Sequence, residues 1–305
     1  MDAARRRAVP GPTGMTLRLG FGVSGPLGQR WFEAARTRAL IEGALHGGVA
    51  HFDTAPFYFD AERRLGDALR KLGRNEVFVS TKTGTRRKGH RLIKDFSDVG
   101  IRADVDQSLR ALGRDRLDLL YLHGPTSTEI DACMPTLRLL KREGKVERIG
   151  VCGEGEPLRR AIGAGCDAIM GPYNIIDRRH ERIFVEAKAK AVMTVAIAPL
   201  AQGLLDRRFF PPHDLADIWR MARAGLRPRY RKKAIAAARE AIGPAPVAEA
   251  ALGFVFADPN IDFVMTTTTK PGHLARSLAA ARGSIDPLLY ARLKNVALDP
   301  PFDGA

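Results

Sequence analysis

Four polar side chains stand where short apolar runs end. Asp53 follows Val49-Ala50-His51-Phe52, with Tyr58 five residues on; Lys82 follows Val77-Phe78-Val79-Ser80-Thr81, and His123 follows Leu119-Leu120-Tyr121-Leu122. A carboxylate, a phenol, an ammonium and an imidazole in one cavity make a proton-transfer set. A free phenol has a pKa of about 10 and is a reluctant acid near neutrality. An ammonium beside it stabilises the phenolate and brings that pKa down, and a carboxylate keeps the ammonium charged and oriented. Each residue also has a plain reading by itself: a packing tyrosine, a snorkelling lysine, an aspartate closing a turn. The shared position at strand ends is what binds them together, because in parallel α/β proteins ligands bind at the C-terminal ends of the strands.

The elements that must position these residues alternate along the chain. Leu40, Ile41, Ala44 and Leu45 share one face of a helix predicted over 33–46, stopped by Gly47-Gly48; Leu65, Ala68, Leu69 and Leu72 do so over 61–72, with Gly73 after them. Ile101, Val105, Leu109 and Leu112 give a third helix over 98–112. Strands are predicted at 17–23, 49–52, 77–81, 117–122, 146–151, 168–170, 192–197 and 262–265. Helices are predicted at 129–143, 157–164, 179–190 and 245–257, with two more to finish; segment 205–243 begins irregularly and ends as a basic helix. Continuous βα alternation with apolar strands implies a parallel sheet covered on both faces. Eight units in one chain of 305 residues fit a closed α/β barrel, a (β/α)8 TIM barrel with its site at the C-terminal strand ends. The expected organisation is a disordered leader at 1–14 and one catalytic barrel at 15–305.

Composition narrows the function classes. Apolar residues at 45% and charged residues at 27% are globular values, and no apolar run is long enough to span a bilayer. Met1–Gly14 is basic and lacks the apolar core of a signal peptide, so the expected compartment is the cytoplasm. Cys133, Cys152 and Cys166 are odd in number and lack CxxC spacing, and the seven histidines form no ligand pattern, so free thiols and no metal are expected. A net charge of +15 suggests nucleic acid, but the excess is scattered and no recognition motif accompanies it. A solvated arginine-rich surface is the preferred reading.

His51-Phe52-Asp53-Thr54-Ala55-Pro56-Phe57-Tyr58, followed by Glu62-Arg63-Arg64-Leu65-Gly66, resembles the early signature of the aldo-keto reductase family. Ser80-Thr81-Lys82, Leu117 to His123, Gly144 to Val151, Tyr173 to Arg178 and Pro199 to Leu205 are similar to its later motifs, in the same order, from about residue 17 to 280. The resemblance implies a (β/α)8 barrel and NAD(P)-dependent carbonyl reduction without a metal. It maps the family's catalytic tetrad onto Asp53, Tyr58, Lys82 and His123. Hydride transfer to a carbonyl builds charge on oxygen, so Tyr58 would donate the proton, Lys82 and Asp53 would tune it, and His123 would fix the carbonyl. Glu62 is read as support for its helix.

The cofactor side departs from the family pattern. Cys152-Gly153 stand where many members have Ser-Asn, Met170 replaces a Gln, and Ile197 replaces an aromatic that stacks on the nicotinamide. Gly22, Asp53, Leu200, Gln202 and Gly203 complete the expected contacts there. Phosphate is expected at the loop-to-helix junction Thr266 to His273, through Thr268, Lys270 and His273, with Arg276 placed for a 2′-phosphate. NADP is expected ahead of NAD. Substrate contacts are expected from Phe57, Phe59, the Thr85–Ile93 loop, Pro125 and the tryptophans Trp31 or Trp219. The partner is thus a small carbonyl compound, with no nucleic acid or membrane. The competing reading is a catalytically weak barrel that binds cofactor or metabolite as a sensor or accessory subunit.

Overall fold

The computed structural model describes residues 17–296 apart from 75, 89, 90 and, within 206–231, all but Leu215 and Ile218. The expected leader at 1–14 and Trp219 lie outside the described residues. Eight strands close a parallel barrel: β1 (Leu19–Gly22), β2 (His51–Asp53), β3 (Phe78–Thr83), β6 (Leu117–His123), β7 (Val146–Cys152), β8 (Ala168–Pro172), β9 (Met193–Ile197) and β10 (Phe263–Thr266). Around the ring they run β1-β10-β9-β8-β7-β6-β3-β2. All eight expected strands are present, within a few residues of their predicted ends.

The helices between them are α1 (Ala34–His46), α2 (Ala61–Lys71), α3 (Asp98–Leu112), α4 (Ser127–Arg142), α5 (Glu156–Gly163) and α6 (Glu181–Ala189). They are followed by α7 (Lys232–Ile242), α8 (Val247–Phe256), α9 (Pro271–Arg282) and α10 (Pro287–Lys294). Local chemistry sets the ends. Ser97 caps α3, Thr126 and Glu129 form a capping box on α4, and Gly113 ends α3 with a positive φ of 65°.

The segment expected as a basic loop is instead an antiparallel hairpin, β4 (Thr85–Lys88) and β5 (Arg91–Lys94). Its strands carry charge on both faces, so no apolar alternation announced them.

Two apolar layers hold the barrel. The outer layer joins the strand residues that point to the helices, such as Phe21, Phe52, Val79, Leu120 and Val264, to the buried helix faces. The inner layer fills the barrel with Phe78, Leu119, Tyr121, Cys152, Ala168, Met170, Val195, Phe263 and Met265. His51 sits among them, its ring edge-on to Phe78 and Phe263 at centroid distances of 4.7 and 5.1 Å. Room is made by glycine: a Cβ on Gly150 would stand 2.8 Å from the Tyr121 ring.

Candidate active site

The period of two along each strand turns Asp53, Lys82 and His123 toward the barrel interior at its C-terminal rim, and the turn after β2 carries Tyr58 over them. The register is direct: Asp53 pairs with Ser80 across β2–β3, Lys82 with Tyr121 across β3–β6, and His123 with Cys152 across β6–β7. Four residues spread over seventy positions therefore share one rim.

Lys82 is 1% exposed, and its Nζ donates to Asp53 Oδ2 at 2.5 Å and to the Thr54 carbonyl at 2.8 Å. Burial works against its charge, but Asp53, then Tyr58 and Cys152, outweigh burial and hold the ammonium above its ordinary pKa. The same Nζ lies 5.3 Å from the Tyr58 ring centroid. The Tyr58 ring is in turn edge-on to His123 at 6.1 Å and to Phe57 at 5.8 Å. Phe59, next along, is an aromatic held at φ 57°, a conformation that non-glycine residues seldom adopt.

Burial, followed by the charges of Lys82 and Lys94, pushes His123 down to about 3, so the imidazole is neutral at ordinary pH. Its Nδ1 is buried without a partner among the described residues, which leaves Nε2 as the nitrogen with access to the mouth. A neutral imidazole beside a buried ammonium can hydrogen-bond an oxygen without giving up a full proton.

The sequence reading missed a chain beneath this rim. Ser80 Oγ donates to Asp53 Oδ1 at 2.8 Å and lies 3.0 Å from His51 Nε2. Ser80 thus orients the carboxylate, and His51 backs the serine from the barrel axis. The inward alternation His51, Asp53 and Ser80, Lys82 was the available signal; His51 read as strand filler because its neighbours are apolar. Glu62 supports its helix as expected, and it does so across the layer. Buried on α2, it accepts from Thr81 Oγ1 at 2.6 Å, and burial raises it to about 7.

These buried groups set a pH dependence. Burial, with Lys82 adding to it, takes His51 down to about 3 as well. For both histidines the folded pKa lies below the unfolded value of about 6.5, so the stability is present above 6.5 and lost as pH falls toward 3. Glu62 has the opposite sign: its contribution is present below the ordinary carboxylate range and lost as pH rises through about 7. Two imidazoles outweigh one carboxyl, so the melting temperature should climb from pH 4 to 6.5. A flat or falling thermal profile across that window would contradict the buried neutral imidazoles.

The expected cofactor residues divide into two groups. At one end Thr267 is exposed between β10 and α9; its Oγ1 donates to the Gly22 carbonyl at 2.9 Å and sits 3.2 Å from Ser24 Oγ. A Cβ on Gly22 would meet that hydroxyl at 2.5 Å, so the close approach of β1 to this loop requires glycine. Thr268 Oγ1 accepts from the Lys270 amide at 3.1 Å, Lys270 is the residue before α9, and His273 and Arg276 are exposed on its first turns. Gly272, on the first turn, faces open space. The exposed Arg276, the half-buried Lys270 and an open helix N-terminus suit phosphate oxygens.

At the other end Met170 is fully buried inside the barrel and Cys152 nearly so, while Ile197 is half-buried at the end of β9. Gly153 adds no side chain, so the pair Cys152-Gly153 offers neither amide nor hydroxyl. Leu200 and Gly203 lie in the turn after β9, which opens with Ala198 at φ 55°. Gln202 belongs to that turn by its backbone; its side chain lies outside what is described. Cys133, Cys152 and Cys166 are all free and buried. Among the substrate candidates, Phe57 and Phe59 border the rim, Pro125 is buried and Trp31 is exposed.

A closed parallel barrel with its polar constellation gathered at the C-terminal rim is the architecture of the (β/α)8 enzymes. The family model for the aldo/keto reductases matches residues 18–297, and the chain belongs to that family. It is 32% identical to L-galactose dehydrogenase of Arabidopsis thaliana over 213 residues, 64% of this chain and 65% of that one. It is 34% identical to the NADH-specific methylglyoxal reductase of Escherichia coli over 177 residues, 52% of this chain and 54% of that one. The chain thus spans between half and two thirds of the length of these curated relatives. The holo form of an aldo-keto reductase from Bacillus halodurans superposes with a TM-score of 0.78 at 26% identity, covering 94% of both chains.

Proposed function

We propose that this chain is an NAD(P)-dependent oxidoreductase that reduces an aldehyde, ketone or sugar-like carbonyl, or oxidises the matching alcohol, within one barrel spanning 15–305. The observation that carries the reading is the buried Lys82–Asp53 pair beside Tyr58, with a neutral His123 at the same rim. When bound, a reduced nicotinamide supplies a hydride to the carbonyl carbon. Tyr58 gives its hydroxyl proton to the carbonyl oxygen, and the product is the alcohol. Lys82 stabilises the phenolate left behind, and Asp53 keeps Lys82 charged and fixed. His123 donates to the same oxygen and orients it before and during transfer.

The residues around the N-terminus of α9 fit the charged end of the dinucleotide. Lys270 and His273 would meet the phosphates and Arg276 a 2′-phosphate, which favours NADP with NAD as the alternative. L-galactose dehydrogenase and methylglyoxal reductase are names of carbonyl–alcohol enzymes among its relatives, and the second is NADH-specific, so the nucleotide preference must be read from this chain's own Arg276. No described helix is long and apolar enough to cross a membrane.

One observation favours the second reading, a cofactor or metabolite sensor with weak catalysis: the Cys152-Gly153 pair lacks the donors expected beside a nicotinamide. A panel of aldehydes, ketones and sugars run with NADPH and NADH, scored by loss of absorbance at the nicotinamide band, tests the choice. Turnover with tighter NADPH use is expected; tight nucleotide binding with no turnover of any carbonyl would establish the sensor instead.

A further inference from the structure

The hairpin after β3 carries charge that the proposed reaction does not use. Thr85 pairs with Lys94 and Arg87 with Leu92 across β4–β5, so these four share one face. That face is fastened to the rim. Thr85 Oγ1 donates to the His123 carbonyl at 2.6 Å, and Lys94 Nζ to the Gly124 carbonyl at 2.9 Å. The Arg87 guanidinium lies 4.5 Å from the Phe57 ring centroid and 5.2 Å from that of Phe59. Phe57 is itself edge-on to His123 at 5.7 Å, so one aromatic ring separates the guanidinium from the imidazole.

On the opposite face Arg86 is neutralised. Arg86 reaches Asp104 at 2.6 Å and Asp95 at 2.8 Å, and Asp104 also accepts from Thr83 and the Gly84 amide. Arg86 is therefore an anchor. Arg87 and Lys94, by contrast, make no ion pair among the described residues, although Asp95 stands beside Lys94 in sequence. A guanidinium lying over aromatic rings keeps its in-plane N–H donors available, and their fork matches two oxygens of a planar or tetrahedral anion.

These cations are badly placed for the nucleotide. In the closed barrel order β3 lies across the ring from β9 and far from β10, whose following loop and helix carry the phosphate candidates. On the function proposed above, the β3 side of Tyr58 and His123 is left to the substrate.

We propose that the carbonyl substrate carries an oxyanion group, carboxylate or phosphate, about one aromatic ring's width from the reacting carbon, and that Arg87 with Lys94 receives it. The reaction itself rests on the function proposed above; the anion preference can be measured without it.

Two matched pairs test this on the full chain: 4-formylbenzoate against its methyl ester, and glyceraldehyde 3-phosphate against glyceraldehyde. The ester is the more electrophilic aldehyde, so chemistry alone favours it over the acid. A kcat/KM ratio of roughly tenfold or more for at least one anion over its neutral partner is expected, carried mainly in KM and shrinking as sodium chloride rises. Arg87→Gln should bring the ratio toward one. The pair that shows the larger ratio identifies carboxylate or phosphate as the preferred group. Calorimetric titration of the same four compounds gives the same ratios as dissociation constants. Ratios near one for both pairs, or ratios that survive Arg87→Gln, overturn the proposal, as does failure of every compound to bind. Selective anion binding with no turnover would instead sink the reductase reading and leave this one standing.

Discussion

Tyr58→Phe should lower kcat for any carbonyl the wild-type chain reduces by about 10²- to 10⁴-fold, the range typical of losing a positioned acid–base group. The substitution removes one oxygen and keeps the ring that packs edge-on to Phe57 and His123 and lies over Lys82. Melting temperature and nucleotide affinity should consequently stay close to wild type. What distinguishes this from a packing role is the split between kcat and binding. Loss of a structural tyrosine would lower stability or affinity together with rate. Turnover within a few-fold of wild type would remove Tyr58 from the proposed chemistry.

Asp53→Asn has a different signature because its main target is the fold. Lys82 and Asp53 are both nearly inaccessible, and removing one partner of a buried pair leaves an uncompensated charge, at a typical cost of about 3–5 kcal/mol. The Thr54 carbonyl still accepts from the ammonium, but it cannot replace a formal negative charge. Denaturant unfolding should thus show a large loss for Asp53→Asn, much of it recovered when Lys82→Met is added, because the apolar stem then replaces the stranded charge. Both variants should be inactive. A single variant within about 1 kcal/mol of wild type, or a double variant no better than the single, would mean that the pair is not coupled as its 2.5 Å contact implies.

The barrel and the four rim residues were legible because both leave periodic marks. Leu65, Ala68, Leu69 and Leu72 announce a helix, and an apolar run ending in Asp53, Lys82 or His123 announces a strand that stops at a polar rim. His51 and Ser80 were not legible as partners because a hydrogen bond between neighbouring strands depends on register, which no single segment encodes. The hairpin at 85–94 escaped for a related reason. Arg86 and Arg87 are indistinguishable in sequence, yet one is spent on Asp104 and the other stands over Phe57. Met170 shows the same limit: its place relative to the mouth follows from how far β8 reaches into the barrel, and it ends up enclosed. Cys152-Gly153 could be located from sequence only by likeness, since neither residue type marks a binding role by itself.

The buried chain Lys82–Asp53–Ser80–His51 is a cul-de-sac for protons. It ends at an imidazole whose Nδ1 has no partner among the described residues, walled by Phe78 and Phe263, with Arg148 over Phe78 on the far side. An imidazole pushed down to about 3 holds no second proton at ordinary pH, and the side chains packed around it are mostly apolar. A phenol that spends its proton at this rim must be recharged from the same side the substrate enters. On the proposed reaction, refilling would come through the mouth that Phe57 and Phe59 border, so access of water there would set the return of the proton.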